Sequence, residues 1–184
     1  MNYSIELLRL LSVTLLVLTH TRHGLSSGYL YFFVEVLPTY ATSLLSLVSG
    51  FLFLEYSSKK GDLLNKKIKT LLVPYLFSNL IVISVVYILY LIGYEYLNRL
   101  SFDYRMITDG LLSLSSEPIN PPTYFIRDIF IFFCLVSLIR RNYYSLIFIV
   151  PYIAFGNLFL RLDVIFLVVC GMSISYMKIL ISNQ

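Results

Sequence analysis

Apolar residues along this chain come in long blocks separated by short polar segments, not in the narrow stripe of a soluble amphipathic helix. Three of these blocks, 36–54, 73–94 and 142–160, contain no charged residue. A helix needs about 20 apolar residues to cross the hydrocarbon core of a bilayer, whereas lipid-facing strands alternate and are about 10 residues long. The pattern therefore predicts an all-α membrane protein, a polytopic helical bundle with about six transmembrane helices at 5–21, 36–54, 73–94, 124–139, 142–160 and 164–180.

The composition agrees with this class. Hydrophobic residues make up 58% of the 184 positions and charged residues 13%, against roughly 45–50% and about 25% in soluble domains. These values exclude water-soluble, disulfide-rich secreted and disordered proteins. No basic patch with interleaved aromatics stands outside the apolar blocks, so we expect no nucleic-acid partner. Cys134 and Cys170 lie inside apolar blocks and are predicted to be free thiols that pack as small hydrophobes, with no metal site.

Basic residues between the blocks predict the orientation. An N-terminus in the cytoplasm puts eight of them inside and four outside, which satisfies the positive-inside rule with both termini cytoplasmic. The lysine-rich stretch 57–69 contributes most to this bias. Residues 95–122 are then expected to face the periplasm or exterior, with a short interfacial helix at 106–114. The protein is accordingly predicted to be multi-pass in the inner (cytoplasmic) membrane, with the lipid bilayer as its surroundings.

Arg9 and His20 are the most informative pair. Eleven positions place both side chains on one helix face within about 20° of each other, and separate them by about 16 Å along the axis. Ionisable residues within a span usually face the bundle interior or a water-filled cavity. Histidine titrates near physiological pH, which suits a general base. The alternative is that both side chains reach the headgroup zones from a short span.

Three other groups have both a functional and a structural interpretation. Ser49-Gly50-Phe51 permits close helix packing. The lysine run that contains Lys66, Lys67 and Lys69 would bind acidic lipid headgroups or the phosphates of a cytosolic acyl donor. Arg127, beside Asp128, contacts substrate or forms an architectural ion pair with helical neighbours or with Glu35. No internal repeat or linker divides the chain, so we expect a single transmembrane domain over 1–184.

Five segments in order resemble the integral-membrane acyltransferase family (family three) that includes surface-polysaccharide O-acetyltransferases. They are the Arg9…His20 helix, "LLSLVSGFLFLEY" with Ser49, Gly50 and Phe51, "KKIKTLLVPYLFSNLI", "PPTYFIRDIFIFFCLVSLI" and "FLVVCGMSISYMK" with Gly171. In the fourth segment Tyr124-Phe125-Ile126 stands where the family has Trp-Phe-Leu.

The resemblance implies an acyl-CoA donor, typically acetyl-CoA as a co-substrate with no bound cofactor, and a hydroxyl of a surface or lipid-linked glycan such as O-antigen as acceptor. His20 would be the catalytic base, and Arg9 an electrostatic partner for the donor or the transferred acyl group. Family members usually have about ten spans, so the chain resembles their N-terminal part. It is expected to work as a homo-oligomer or with a complementary C-terminal half. The alternatives are a small glycan transporter or export component, and an inactive truncated remnant.

Overall fold

The computed structural model describes residues 3–19, 24–25, 27–54, 63–94, 103–140 and 142–182. Helices make up most of this part of the chain, and it contains no strand. We number the helices in chain order: α1 (Tyr3–Leu18), α2 (Tyr29–Leu52), α3 (Leu63–Leu91), α4 (Arg105–Thr108), α5 (Pro121–Ile139), α6 (Ser145–Phe155) and α7 (Leu162–Ser182). The predicted all-α membrane class is confirmed.

Four helices, α2, α3, α5 and α7, are long and apolar enough to cross a membrane. The other two predicted spans are shorter, since α1 has 16 residues and α6 has 11. The span predicted at 142–160 ends too late, because α6 ends at Phe155 and the backbone is non-helical from Gly156 as far as Arg161. The span predicted at 73–94 begins too late, because α3 starts at Leu63 and includes the three lysines.

Two compact units divide the chain, and each is described by itself. The first contains the described residues of Met1–Gly61 and Asp163–Gln184. Here α1 packs against α2 and buries Ser12 and Leu15. Helix α7 meets α2 at two glycines: a methyl group on Gly50 would overlap the Val168 carbonyl, and one on Gly171 would overlap that of Leu47. The absence of side chains at these glycines allows the two backbones to touch.

The second unit contains the described residues of Asp62–Leu162, and α5 is its most buried helix. Helices α3 and α5 run antiparallel, since Thr123 at the start of α5 bonds to Asn79 while Phe133, further along, packs under Lys67. Helix α6 packs back against α5. One apolar cluster joins all three helices, through Leu64, Phe130, Cys134 and Ile149.

The segment 103–120 is not a free loop between spans. A short helix forms at Arg105–Thr108, and the chain then turns back, so the expected helix over 106–114 ends early. Ile119 packs against Ile83 and Val86 in the C-terminal half of α3. Thr123 at the start of α5 bonds to Asn79, which lies twelve residues before the end of α3. The start of α5 is therefore about 18 Å from that end, measured along the axis of α3. Irregular backbone therefore lies alongside the uncharged C-terminal half of α3.

Candidate functional site

Arg9 lies on α1 with its side chain about half exposed, at 51%. Its guanidinium pairs with the Glu6 carboxylate one turn earlier, at 3.3 Å. Ser12, the next residue on the buried side, donates a hydrogen bond to the Leu8 carbonyl. His20, the predicted base, lies outside the described residues. The Arg9 guanidinium therefore lies on an exposed face of α1, with Glu6 as its partner.

Ser49, Gly50 and Phe51 lie near the end of α2. Gly50 is buried where the backbone of α7 passes, while Ser49 and Phe51 are half-buried. The Phe51 ring lies 5.3 Å from the Nζ atom of Lys178 in α7. Substitution of Gly50 would push the two helices apart, so this motif has a packing role in the first unit.

The three predicted donor-binding lysines lie on the first turns of α3. Lys66 and Lys69 are exposed, whereas Lys67 is half-buried and its Nζ atom lies 4.0 Å from the centre of the Phe133 ring. An ammonium over an aromatic ring keeps its charge while its stem covers apolar surface. This end of α3 and α5 therefore carries exposed positive charges at Lys66, Lys69 and Arg140, and one further charge held against the bundle.

Arg127 and Asp128 form a buried pair at the start of α5. The Arg127 Nη1 atom donates to the Asp128 carboxylate at 2.6 Å, and both side chains are 1% exposed or less. Arg127 also donates to the carbonyl oxygens of Asn157 at 2.6 Å and Leu158 at 3.3 Å. Its guanidinium lies 4.6 Å from the centre of the Tyr152 ring.

The Asp128 carboxylate accepts hydrogen bonds from the backbone N–H groups of Leu160, at 3.2 Å, and Arg161, at 2.8 Å. These two amides immediately precede α7, and the carbonyls bound by Arg127 follow the end of α6. A helix has orphan carbonyls at its C-terminus and orphan amides at its N-terminus. Arg127 therefore binds carbonyl oxygens just after the C-terminus of α6. Asp128 binds amide groups just before the N-terminus of α7.

Sequence reasoning expected Arg127 to pair with helical neighbours or with Glu35. The structure pairs it with Asp128 itself, while Glu35 accepts a hydrogen bond from the Gly24 amide at 3.0 Å. The Nε atom of Arg127 is buried and has no hydrogen-bond partner within the described ranges. The predicted substrate contact of Arg127 stays a prediction.

A second buried polar group lies next to this pair and was not predicted from the sequence. The Tyr75 hydroxyl hydrogen-bonds to Ser113 Oγ at 2.9 Å, and Ser113 has the left-handed backbone φ of 52°. Asn79 donates from Nδ2 to Thr123 Oγ1 at 3.1 Å and accepts from the Asn120 amide at 3.1 Å. These bonds fix the segment before α5 to the middle of α3.

Two accessible side chains lie near each other, one at the start of α5 and one on the residue just before α7. Arg161 is exposed and Tyr124 is half-buried, with the Arg161 guanidinium 5.4 Å from the centre of the Tyr124 ring. The Phe125 ring meets Tyr124 edge to face at 6.3 Å. Tyr124 and Phe125 were singled out as a motif, whereas Arg161 was counted only as an outside charge.

Residues 2–183 match the family model described as "Acyltransferase domain". The chain belongs to this acyltransferase family. No curated protein and no solved structure matches it. The match confirms the resemblance on which the sequence analysis relied, and together with the apolar helices it identifies a membrane protein of the acyltransferase family.

In this acyltransferase-family chain, the predicted site residues of the second unit fall at two ends of α5. Lys67 packs on Phe133, and Arg127 lies six residues earlier, about 9 Å along the helix axis. The structure therefore does not gather the lysines and Arg127 into one cluster. No group of three or more metal-ligating side chains occurs in the part of the chain that the structure describes.

Proposed function

We propose that this protein is an O-acyltransferase of the inner membrane that transfers an acyl group from acyl-CoA, typically acetyl-CoA, to a hydroxyl of a surface or lipid-linked glycan. The observation that carries the proposal is the family match over residues 2–183 in a chain with apolar helices. The family gives the reaction type, and the residues of this chain give the roles below.

The reaction joins an acceptor hydroxyl to the thioester carbonyl. The hydroxyl oxygen attacks the carbonyl carbon, its proton passes to His20, the carbon–sulfur bond breaks, and the CoA thiolate takes up a proton. A positioned general base contributes roughly 10²–10⁴-fold. Arg9 stabilises the negative charge that develops on the carbonyl oxygen, because its half-exposed guanidinium can exchange Glu6 for a substrate oxygen.

The donor phosphates bind the lysine-bearing end of α3 from the cytoplasm. Support comes from Lys66 and Lys69, which are exposed, and from Lys67, which is held in place by Phe133. Both termini are then cytoplasmic, in line with the positive-inside rule. A homodimer, or a complementary C-terminal half, would supply further walls around the two substrates.

Loss of the base tests the chemistry. In cells that carry the glycan, His20→Ala is expected to lower acyl transfer from labelled acetyl-CoA by about 10²-fold or more while membrane insertion is kept. His23→Ala is the matched control, because His23 is the only other histidine in the sequence, and it should retain transfer. Arg9→Lys should also reduce transfer, since a point charge does not replace the planar guanidinium. Full transfer by His20→Ala would refute the role of His20.

Thiol labelling tests the orientation. In a background with Cys170→Ser, a cysteine at Asp62 should be shielded from an impermeant reagent in intact cells, whereas one at exposed Glu117 should react. Permeabilised cells serve as the control, in which both positions should react. Labelling at position 62 in intact cells would reverse the proposed topology.

A further inference from the structure

Backbone without regular structure lies between α6 and α7, at residues 156–161. A methyl group on Gly156 would overlap the Leu114 carbonyl, and the Asn157 amide donates to that carbonyl at 2.6 Å. Within a bilayer, irregular backbone is tolerated only where it is buried in protein or lines a water-filled cavity. The Arg127–Asp128 pair meets this requirement, because it binds two carbonyls and two amides of the segment.

Arg161 is the residue that this segment presents to the surroundings. Asp128 holds its backbone N–H at 2.8 Å, while its side chain is exposed and its guanidinium lies 5.4 Å from the Tyr124 ring. An exposed guanidinium has several N–H donors, so it can also bind the oxygens of a polar ligand. A fixed cation beside a partly exposed aromatic ring suits a sugar, whose hydroxyls accept from a guanidinium and whose apolar ring face packs on an aromatic.

The position of these two side chains separates them from the lysines. Tyr124 is the first α-helical residue of α5. Phe133, whose ring contacts the Lys67 ammonium, lies nine residues later, or about 13 Å along the helix axis. An acyltransferase must hold donor and acceptor at the same time, in reacting geometry. With donor phosphates at the lysine end, the Tyr124 end of α5 is left for the acceptor.

We propose that Tyr124 and Arg161 form the acceptor-sugar subsite, and that the Arg127–Asp128 pair positions it through the segment 156–161. The inference rests on the proposed acyltransferase function. Tyr124 and Arg161 contact the substrate, whereas Asp128 acts through the backbone.

The test is direct binding of acceptor, which needs no turnover. The full chain is placed in lipid nanodiscs on scintillation beads, and the probe is the radiolabelled lipid-linked glycan fraction extracted from the producing cells. Arg161→Ala and Tyr124→Ala are each expected to weaken binding about tenfold, since a hydrogen bond to a charged group and an aromatic contact are lost. Tyr124→Phe should bind as the wild type does.

Matched controls come from the opposite end of α5. Arg140 and Tyr143 are exposed there, and Arg140→Ala and Tyr143→Ala should leave glycan binding unchanged. In the same nanodiscs, the KM for acetyl-CoA should stay constant in Arg161→Ala while the KM for glycan rises. A merely structural defect would change both constants.

The outcomes separate the two proposals. Unchanged glycan binding in Arg161→Ala and Tyr124→Ala, or no glycan binding by the wild type, would overturn the subsite. Binding that depends on both residues would support the subsite. Absence of transfer from acetyl-CoA by the wild type, both alone and together with a complementary C-terminal half, would refute the acyltransferase function. Transfer by the wild type together with unchanged glycan binding in the variants would support the acyltransferase function and refute the subsite.

Discussion

Exchanging the two charges of the buried pair, in the double variant Arg127→Asp with Asp128→Arg, should not restore the stability that either single change removes. Each member faces backbone groups of one polarity: the guanidinium faces the carbonyls of Asn157 and Leu158, and the carboxylate faces the amides of Leu160 and Arg161. After the exchange the two side chains still attract each other. Each would then face backbone groups of its own polarity.

The magnitude follows from what Asp128→Ala leaves behind. Two backbone donors lose their acceptor, which costs about 1–3 kcal/mol each when they stay buried. Arg127 loses its counter-charge, and removal of one partner from a buried ion pair costs about 3–5 kcal/mol in total. We expect Asp128→Ala to lower the free energy of unfolding by about 4 kcal/mol, and the double exchange to lower it by about as much.

A thiol-reactive dye measures this directly. Cys134 lies on α5 and is fully buried, so in a Cys170→Ser background it reacts only when the helix unpacks. A loss of about 4 kcal/mol should lower the midpoint of the thermal transition by roughly 10 °C. Asp128→Asn, which keeps an acceptor oxygen, is the conservative control and should lose less.

Recovery would refute the reasoning. If the double exchange unfolds within about 1 kcal/mol of the wild type, the two side chains act as a simple ion pair, for which orientation does not matter. The role of the pair in positioning the segment 156–161 would then fail as well.

Two further changes test the packing of each unit. Gly50→Ala should destabilise the first unit by about 1–3 kcal/mol through overlap with the Val168 carbonyl, whereas Ser49→Ala next to it should cost much less, as thermal unfolding in detergent would show; equal effects would contradict the close approach of the helices. Tyr75→Phe should cost about 1–3 kcal/mol, because it leaves the buried Ser113 hydroxyl without its partner; an unchanged midpoint would show that this hydrogen bond contributes nothing to stability.

The helices could be predicted from the sequence because uncharged runs have few alternatives in lipid. Their ends could not. The predicted span began after the lysines of α3, because a search for uncharged runs stops at Lys66, Lys67 and Lys69. The helix nevertheless includes them, since long amine side chains project from a helix without ending it. Gly156 belonged to an uncharged run that predicted a continuous helix. Hydrogen bonds to the Arg127–Asp128 pair instead keep the backbone after Gly156 non-helical.

The buried polar group beside this pair has no local signature in the sequence. Tyr75 and Ser113 are 38 positions apart, and Asn79 and Thr123 are 44 apart, so no spacing rule joins them. One signal was present, since an asparagine in the middle of an uncharged span usually bonds across helices. It identifies Asn79 as buried and bonded, but it does not say to what.

The contact of α2 with α7 has a consequence for biosynthesis. The glycine surface around Gly50 is filled by residues near Val168, more than a hundred positions later in the chain. During translation α2 therefore enters the membrane with this surface facing lipid or the insertion machinery, and it stays uncovered while all of the second unit is made. The first unit can therefore be completed only after the whole second unit has been synthesised and α7 has left the ribosome.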